Sequence, residues 1–241
     1  MKIDILTLFP GMFCGPFTES LLKKAQDKGL ISINIVDIRD FTQDKHKTAD
    51  DTPYGGGPGM VLKPEPVFRA IRSLSPSKST RIILTTPAGK RLDQPMAAEL
   101  AEEKHLVVLC GHYEGIDERI REQFVTDEIS IGDYVLTGGE LPAMIITECV
   151  CRLIPGVVKE EESLQRESFN NGLLDFPCYT RPEEFEGQRV PKDLLSGNHA
   201  LIDRFRKKQM LKRTLFDRPE MLAGADLTGV DGVILREILG E

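Results

Sequence analysis

"HLVVLCGHYEGIDERI", residues 105–120, is the stretch on which the fold turns. His105 to Cys110 form a short apolar run of the length and composition of a β-strand. The run passes directly into a loop in which Gly111 and Gly115 bracket His112, Tyr113 and Glu114. Asp117, Glu118 and Arg119 then open a helix. A second stretch repeats the plan: "DEISI" (127–131) runs into "IGDYVLTGGELP", again a polar turn with paired glycines before a helix. Two strand ends finished by glycine loops make a pocket where a ligand can approach the backbone closely. Either loop alone reads better as a tight strand-to-helix turn.

Working outward, "KIDILTLF" (2–9), "ISINIVDI" (31–38) and "TRIILTT" (80–86) read as further strands. "TESLLKKAQDKG" between them reads as a helix with Thr18 or Ser20 as N-cap and Gly29 at its end. "KPEPVFRAIRSL" and "LDQPMAAELAEEK" read as helices with proline early. Such alternation predicts an α/β protein with a mostly parallel sheet covered by helices on both faces. Ligands of such sheets bind beyond the carboxyl ends of the strands.

Pro155-Gly156 ends the pattern, and an acidic stretch from about Lys159 to Asp175 reads as a linker or mobile loop. The remainder, about 176–241, has helical signals and no convincing strand. In its longest helix Leu201, Phe205, Leu215 and Phe216 fall on one side.

With 241 residues, 40% hydrophobic and 29% charged, the chain has the composition of a soluble globular protein. No apolar run approaches the roughly 20 residues that span a bilayer, and the N-terminus lacks a signal-peptide cleavage site. No membrane association and a cytoplasmic location are expected. Five cysteines, an odd number, argue against disulfides. "ECVCR" lacks a second Cys/His pair at metal spacing, so no metal site is expected and buried free thiols fit better. The net charge is −7, yet seven basic residues against two acidic ones lie between His199 and Arg218. That helix is either a nucleic-acid footprint or a solvated face.

"DDTPYGGGPGM" (50–60) invites a phosphate-cradle reading, but Gly59 is followed by Met60, Val61 and Leu62 rather than Lys-Ser/Thr. The first turn, "FPGMFCGP", is a poor match to the dinucleotide fingerprint. The glycines gather at later strand ends instead.

"PYGGGPGM", "GHYEGIDER", "SIGDYVLTGGELPAM", "RLIPGV", "ESFNNGLLDFPCYTRP" and "LLSGNHA", in this order and spacing, resemble the bacterial tRNA (guanine-N1)-methyltransferase family of the SPOUT class. The resemblance covers nearly the whole chain. It implies a parallel sheet flanked by helices with a deep trefoil knot, plus a small helical C-terminal domain. It implies a knotted cofactor-binding domain over 1–160, a flexible linker over 161–176 and a tRNA-binding domain over 177–241. It further implies S-adenosyl-L-methionine as cofactor, a homodimer, and methyl transfer to N1 of the guanosine 3′ of the anticodon, tRNA position 37. The motifs carry cofactor binding to Thr85, Thr86, Pro87, Gly111, Tyr113, Glu114, Gly115, Ile131, Gly132, Asp133, Tyr134, Val135, Leu136, Gly138, Gly139 and Pro142. They carry tRNA binding to Ser168, Asp175, Arg181, Asn198, His199, Arg206 and Lys207.

Guanine N1 carries a proton at neutral pH, and its removal pushes negative charge toward O6. Methylation there calls for a general base and a nearby cation or donor. The resemblance gives the cation as Arg152 and the base as Glu167, where the family has aspartate; Asp175 is the second candidate. Cys178 stands where the family has histidine. "YGGGPGM" matches a family loop beside the cofactor and acceptor pocket. A bulky residue at Gly139 is expected to exclude the cofactor without unfolding the chain. A catalytically silent RNA-binding protein is the rival reading, against which the intact cofactor loops count.

Overall fold

The computed structural model describes residues 1–159, 164 and 167–240. These belong to two compact units, Met1–Lys159 and Glu160–Glu241. In chain order the strands of the first unit are β1 (Lys2–Thr7), β2 (Ser32–Asp37), β3 (Asp50–Asp51), β4 (Val61–Leu62), β5 (Arg81–Arg91), β6 (His105–Cys110) and β7 (Asp127–Ser130). Its helices are α1 (Ser20–Asp27), α2 (Pro64–Ser73), α3 (Gln94–Ala101), α4 (Glu118–Phe124) and α5 (Glu140–Cys151).

Five strands form one sheet in the order β2-β1-β6-β5-β7, with every adjacent pair parallel. Side chains of β6 alternate between two cores. Leu106, Val108 and Cys110 join Ile3 and Ile5 under α1, α3 and α5, through Leu22, Leu100, Ala143, Ile146 and Val150. Val107 and Leu109 join Leu6, Ile82 and Leu84 under α2 and α4, through Val67, Ala70, Ile71 and Ile120. Burial on both faces is why β6 is apolar throughout rather than alternating. Leu109 is fully buried, and its truncation to alanine would cost about 2–5 kcal/mol.

Local signals explain most boundaries. Asp93 caps α3, accepting from the Met96 N–H at 2.9 Å. The cap of α1 differs from expectation: Glu19 takes the position without a side-chain bond, and the Thr18 hydroxyl donates to the Gly15 carbonyl instead. Gly29, at φ +70°, turns the chain out of that helix. At the amino end of the sheet, buried Asp4 accepts from Lys2 (2.8 Å) and Asn34 (2.9 Å) and pairs with His105 Nε2 (2.7 Å). Burial pushes the Asp4 carboxyl up, but these three partners outweigh it and hold it below its ordinary value.

Strand β5 outruns the expected 80–86. Its pairing with β7 jumps from Thr85↔Ile129 to Lys90↔Ile129, so residues 86–89 leave the ladder and return to it. β3 and β4 pair antiparallel and flank the glycine-rich loop.

The second unit contains β8 (Glu184–Phe185), β9 (Gln188–Arg189), α6 (Lys192–Leu195), α7 (His199–Asp217) and α8 (Gly229–Leu239). Its small core joins Leu173, Leu211 and Ile234. The β8–β9 hairpin corrects the expectation of no strand. Its turn residues Glu186 and Gly187 both have positive φ, as a tight hairpin requires, but glutamate is not a residue that advertises one. The expected apolar face of α7 is also corrected. Leu211 and Thr214 are its buried positions, while Leu201 and Phe216 are exposed. Part of the acidic linker, residues 160–163 and 165–166, lies outside the described residues. From 167 onward the chain forms a compact turn rather than a structureless link. Asp175 N–H donates to Ser168 Oγ (2.9 Å), Phe169 N–H to the Leu173 carbonyl (2.9 Å), and Leu174 N–H to Thr214 Oγ1 (2.8 Å).

Candidate cofactor cleft and RNA-binding surface

At the carboxyl ends of β5, β6 and β7 lies a cleft of about 620 Å³. The 86–89 excursion, the 111–116 loop and the 131–139 loop enclose it, with Pro142 of α5 at its edge. Of the residues expected to hold the cofactor, all line this cleft except Asp133. Sequence reasoning missed Ala88, His112, Ile116, Glu118, Arg121, Glu128 and Thr137, which also line it. Polar residues next to the glycine pairs were the available signal.

Backbone contacts hold the glycine turns of the cleft together. Gly139 N–H donates to the Gly111 carbonyl at 2.7 Å, and His112 bridges to Gly138. A Cβ on Gly139 would collide with Thr85 Oγ1 and lie 2.9 Å from both Cys110 Cα and Gly111 N. These neighbours are largely backbone and cannot step aside. A bulky residue at 139 would therefore break the fold around the cleft, which corrects the expectation that the chain would tolerate it. Gly115 behaves differently. It has φ +124°, and nothing lies within 4 Å of a Cβ placed there, so bare backbone faces open space. Tyr113, at φ +58°, holds the loop in the same left-handed region despite its side chain.

The glycine-rich loop ends against this wall. Glu114 N–H donates to Met60 O, Leu62 N–H to Gly115 O, and Asp117 N–H to Leu62 O, each at 3.0 Å. A Cβ on Gly59 would run into the Glu114 side chain, which explains glycine there. Gly55, Gly56 and Gly57 share the positive φ of Gly59 but face open space, so their role is to shape the turn.

Beneath the cleft, buried Glu140 accepts from Thr7 Oγ1 at 2.8 Å. Its other oxygen faces His112 Nδ1 at 3.5 Å, and neither atom has a hydrogen-bond partner among the described residues. Burial, and secondarily Glu140, push the Cys110 thiol well up. Burial pushes Cys151 up to about 12. Both are therefore neutral thiols at pH 7. Cys14 and Cys178 are exposed, against the expectation of buried thiols.

Arg152 forms the C-cap of α5 and is half-buried, whereas Glu167 stands at the start of the 167–175 turn in the second unit. Asn198 caps α7, accepting from Ala200 N–H (3.0 Å) and Leu201 N–H (3.4 Å), and exposed His199 follows it. Arg181 and Arg206 line a second cleft within this unit. Much of the basic charge on α7 is matched internally. Arg204 and Lys208 pair with Glu237, and Lys207 reaches Asp231 at 3.3 Å. Arg213 donates to the Asp175 carbonyl at 3.1 Å. Lys212 is exposed and has no acidic partner among the described residues.

A parallel sheet whose glycine loops enclose one cleft at the strands' carboxyl ends defines a ligand-binding α/β protein. Comparison with known sequences narrows the class. The family model described as tRNA (Guanine-1)-methyltransferase TrmD matches residues 1–224, and the chain belongs to that family. A tRNA (guanine-N(1)-)-methyltransferase of Staphylococcus carnosus is 59% identical over 235 residues, covering 98% of this chain and 96% of its own. Proteins of the same description from Pelotomaculum thermopropionicum and Geobacillus kaustophilus are 57% and 56% identical. Those alignments cover 99% and 98% of this chain, and 96% and 98% of the relatives.

Proposed function

We propose that the protein is a tRNA methyltransferase that moves a methyl group from S-adenosyl-L-methionine to N1 of the guanosine 3′ of the anticodon. The observation that carries this is the convergence of nearly all the motif-derived cofactor residues on one cleft, in a chain of this family. The cleft suits the cofactor. Exposed backbone at Gly115 leaves room for a close approach, and the 131–136 segment offers backbone polar groups beside apolar Val135 and Leu136. Thr85–Pro87, Gly111, Tyr113–Gly115, Ile131, Gly132, Tyr134–Leu136, Gly138, Gly139 and Pro142 would hold it. When bound, the cofactor supplies a methyl group already activated on a positively charged sulfur.

The chain's own task is the acceptor. The Glu167 carboxylate takes the N1 proton as the ring nitrogen attacks, and the Arg152 guanidinium offsets the charge moving onto O6. A nucleotide in a loop is cheap to extrude from its stack, which suits a base-modifying site. Lys212, which no internal acidic partner holds among the described residues, meets tRNA phosphates. Tight passage of Gly138–Gly139 past Thr85 and Gly111 supports a knotted chain path. Exposed Leu141 and Ile145 on α5, with Met12 and Val135, support a homodimer. No helix among the described residues is long and apolar enough to cross a membrane, and we place the enzyme in the cytoplasm.

The test is thermal-shift titration with S-adenosylmethionine, followed by methylation of tRNA transcripts carrying guanosine or adenosine at position 37. Cofactor binding with guanosine-dependent transfer is expected. Tight tRNA binding with neither would leave the silent RNA-binding protein standing.

A further inference from the structure

The second unit holds a cleft of about 510 Å³ that no step above uses. One wall is the 176–181 segment with Glu183, and the others come from Val190, α6 and the first half of α7. The Arg206 guanidinium lies over the Phe176 ring, 5.0 Å from its centroid, so a cation and an aromatic ring stand together in the cleft wall. The Nε of Arg206 is buried and has no hydrogen-bond partner among the described residues. Its Nη1 reaches Asp203 only at 3.9 Å. A buried N–H without an acceptor is costly and marks a place where an acceptor is missing. Leu194 and Ile202 add apolar surface to the same cleft.

Taking the tRNA-methyltransferase function as its basis, we infer that this cleft is a subsite for one unstacked nucleobase of the RNA substrate. A phosphate alone would meet the cation but has no use for Phe176, Leu194 and Ile202. An aliphatic ligand would leave the Arg206 donor unsatisfied. A nucleobase answers both, because its π-face stacks on an aromatic or guanidinium plane while its edge offers in-plane acceptors. Arg181, on the same wall, is placed to meet the attached phosphate.

Arg206→Lys separates a base subsite from a simple phosphate contact, because lysine keeps the charge but loses the plane and the Nε donor. With an anticodon stem–loop RNA, Arg206→Lys should bind at least about tenfold more weakly while the dependence on salt stays that of the wild type. Wild-type affinity in a folded Arg206→Lys variant overturns the inference. A second measurement leaves Arg206 untouched. Cys178 lines the cleft with an exposed thiol. In a Cys14→Ser background, the stem–loop should slow alkylation of Cys178 several-fold, whereas a blunt RNA duplex should not. Alkylation unchanged by the stem–loop also overturns it. If the wild type methylates tRNA but both tests fail, only the subsite is wrong. A wild type that neither binds nor methylates tRNA refutes the function itself.

Discussion

The glycine-walled cleft of the first unit and the C-terminal unit build their surfaces by opposite means. Around the cleft, backbone meets backbone: Gly139 sits where no side chain fits, and loops 57–62 and 111–117 are stitched by main-chain hydrogen bonds. In the second unit, side chains meet side chains. Glu237 draws in Arg204 and Lys208, Asp231 draws in Lys207, and Phe176 carries Arg206. A backbone-built site is unforgiving of added atoms, whereas a side-chain-built surface degrades by one interaction at a time.

The largest expected effect tests the chemistry placed on the second unit. Glu167→Gln keeps the shape of the proposed base and removes its basicity. Single-turnover methylation should fall by about 10² to 10⁴ with cofactor and tRNA affinities little changed, and Glu167→Asp should retain far more activity. Near-normal turnover in Glu167→Gln would transfer the role of base to Asp175. Next comes the backbone-built wall. Gly139→Val should lose more than about 3 kcal/mol of stability by denaturant titration, because its Cβ would meet the Thr85 hydroxyl and the main chain of Cys110 and Gly111. A well-folded Gly139→Val protein would break the contrast between the two regions.

A smaller effect concerns acid. The folded Asp4 carboxyl is held below its unfolded value, near 3.9. Its contribution to stability is therefore full above that pH and fades as acid protonates the folded group. Below about pH 4 the wild type should lose stability more steeply than Asp4→Asn, a difference visible in melting temperatures across the acid range. The smallest effect sharpens the view of α7. Lys212→Ala should flatten the salt dependence of tRNA binding by roughly one in slope or less. Lys207→Ala should flatten it less, because Asp231 already holds that ammonium. Equal effects would mean that internal pairing does not ration the helix's charge.

This contrast also explains what the sequence reveals. Strands β1 and β6 and the glycine loops can be read directly, because a doubly buried strand is a nearly continuous apolar run and clustered glycines need a reason. The 86–89 excursion cannot, since Pro87 looks like a strand end and only the neighbouring β7 brings the chain back at Lys90. In the second unit the signals mislead. Leu201 and Phe216 look like core but are exposed, while Thr214 is buried, giving its hydroxyl to the Met210 carbonyl at 2.8 Å. Side-chain pairings such as Arg206 over Phe176 span thirty positions and leave no local trace. The roles of Glu167 and Arg152 come from family resemblance, not from any pattern of spacing.

The strand order also sets a timetable for synthesis. β1 lies between β2 and β6, so one of its edges waits for a partner that begins at His105. At ribosomal speeds of about 5–20 residues per second, that wait lasts roughly 5–20 s. Until then β1 and β2 form a pair with an open edge, the kind of surface chaperones cover. The cleft needs still more chain, because its last wall is the 131–139 loop with Pro142 of α5. The cleft is therefore complete only after the 131–142 segment has emerged from the ribosome.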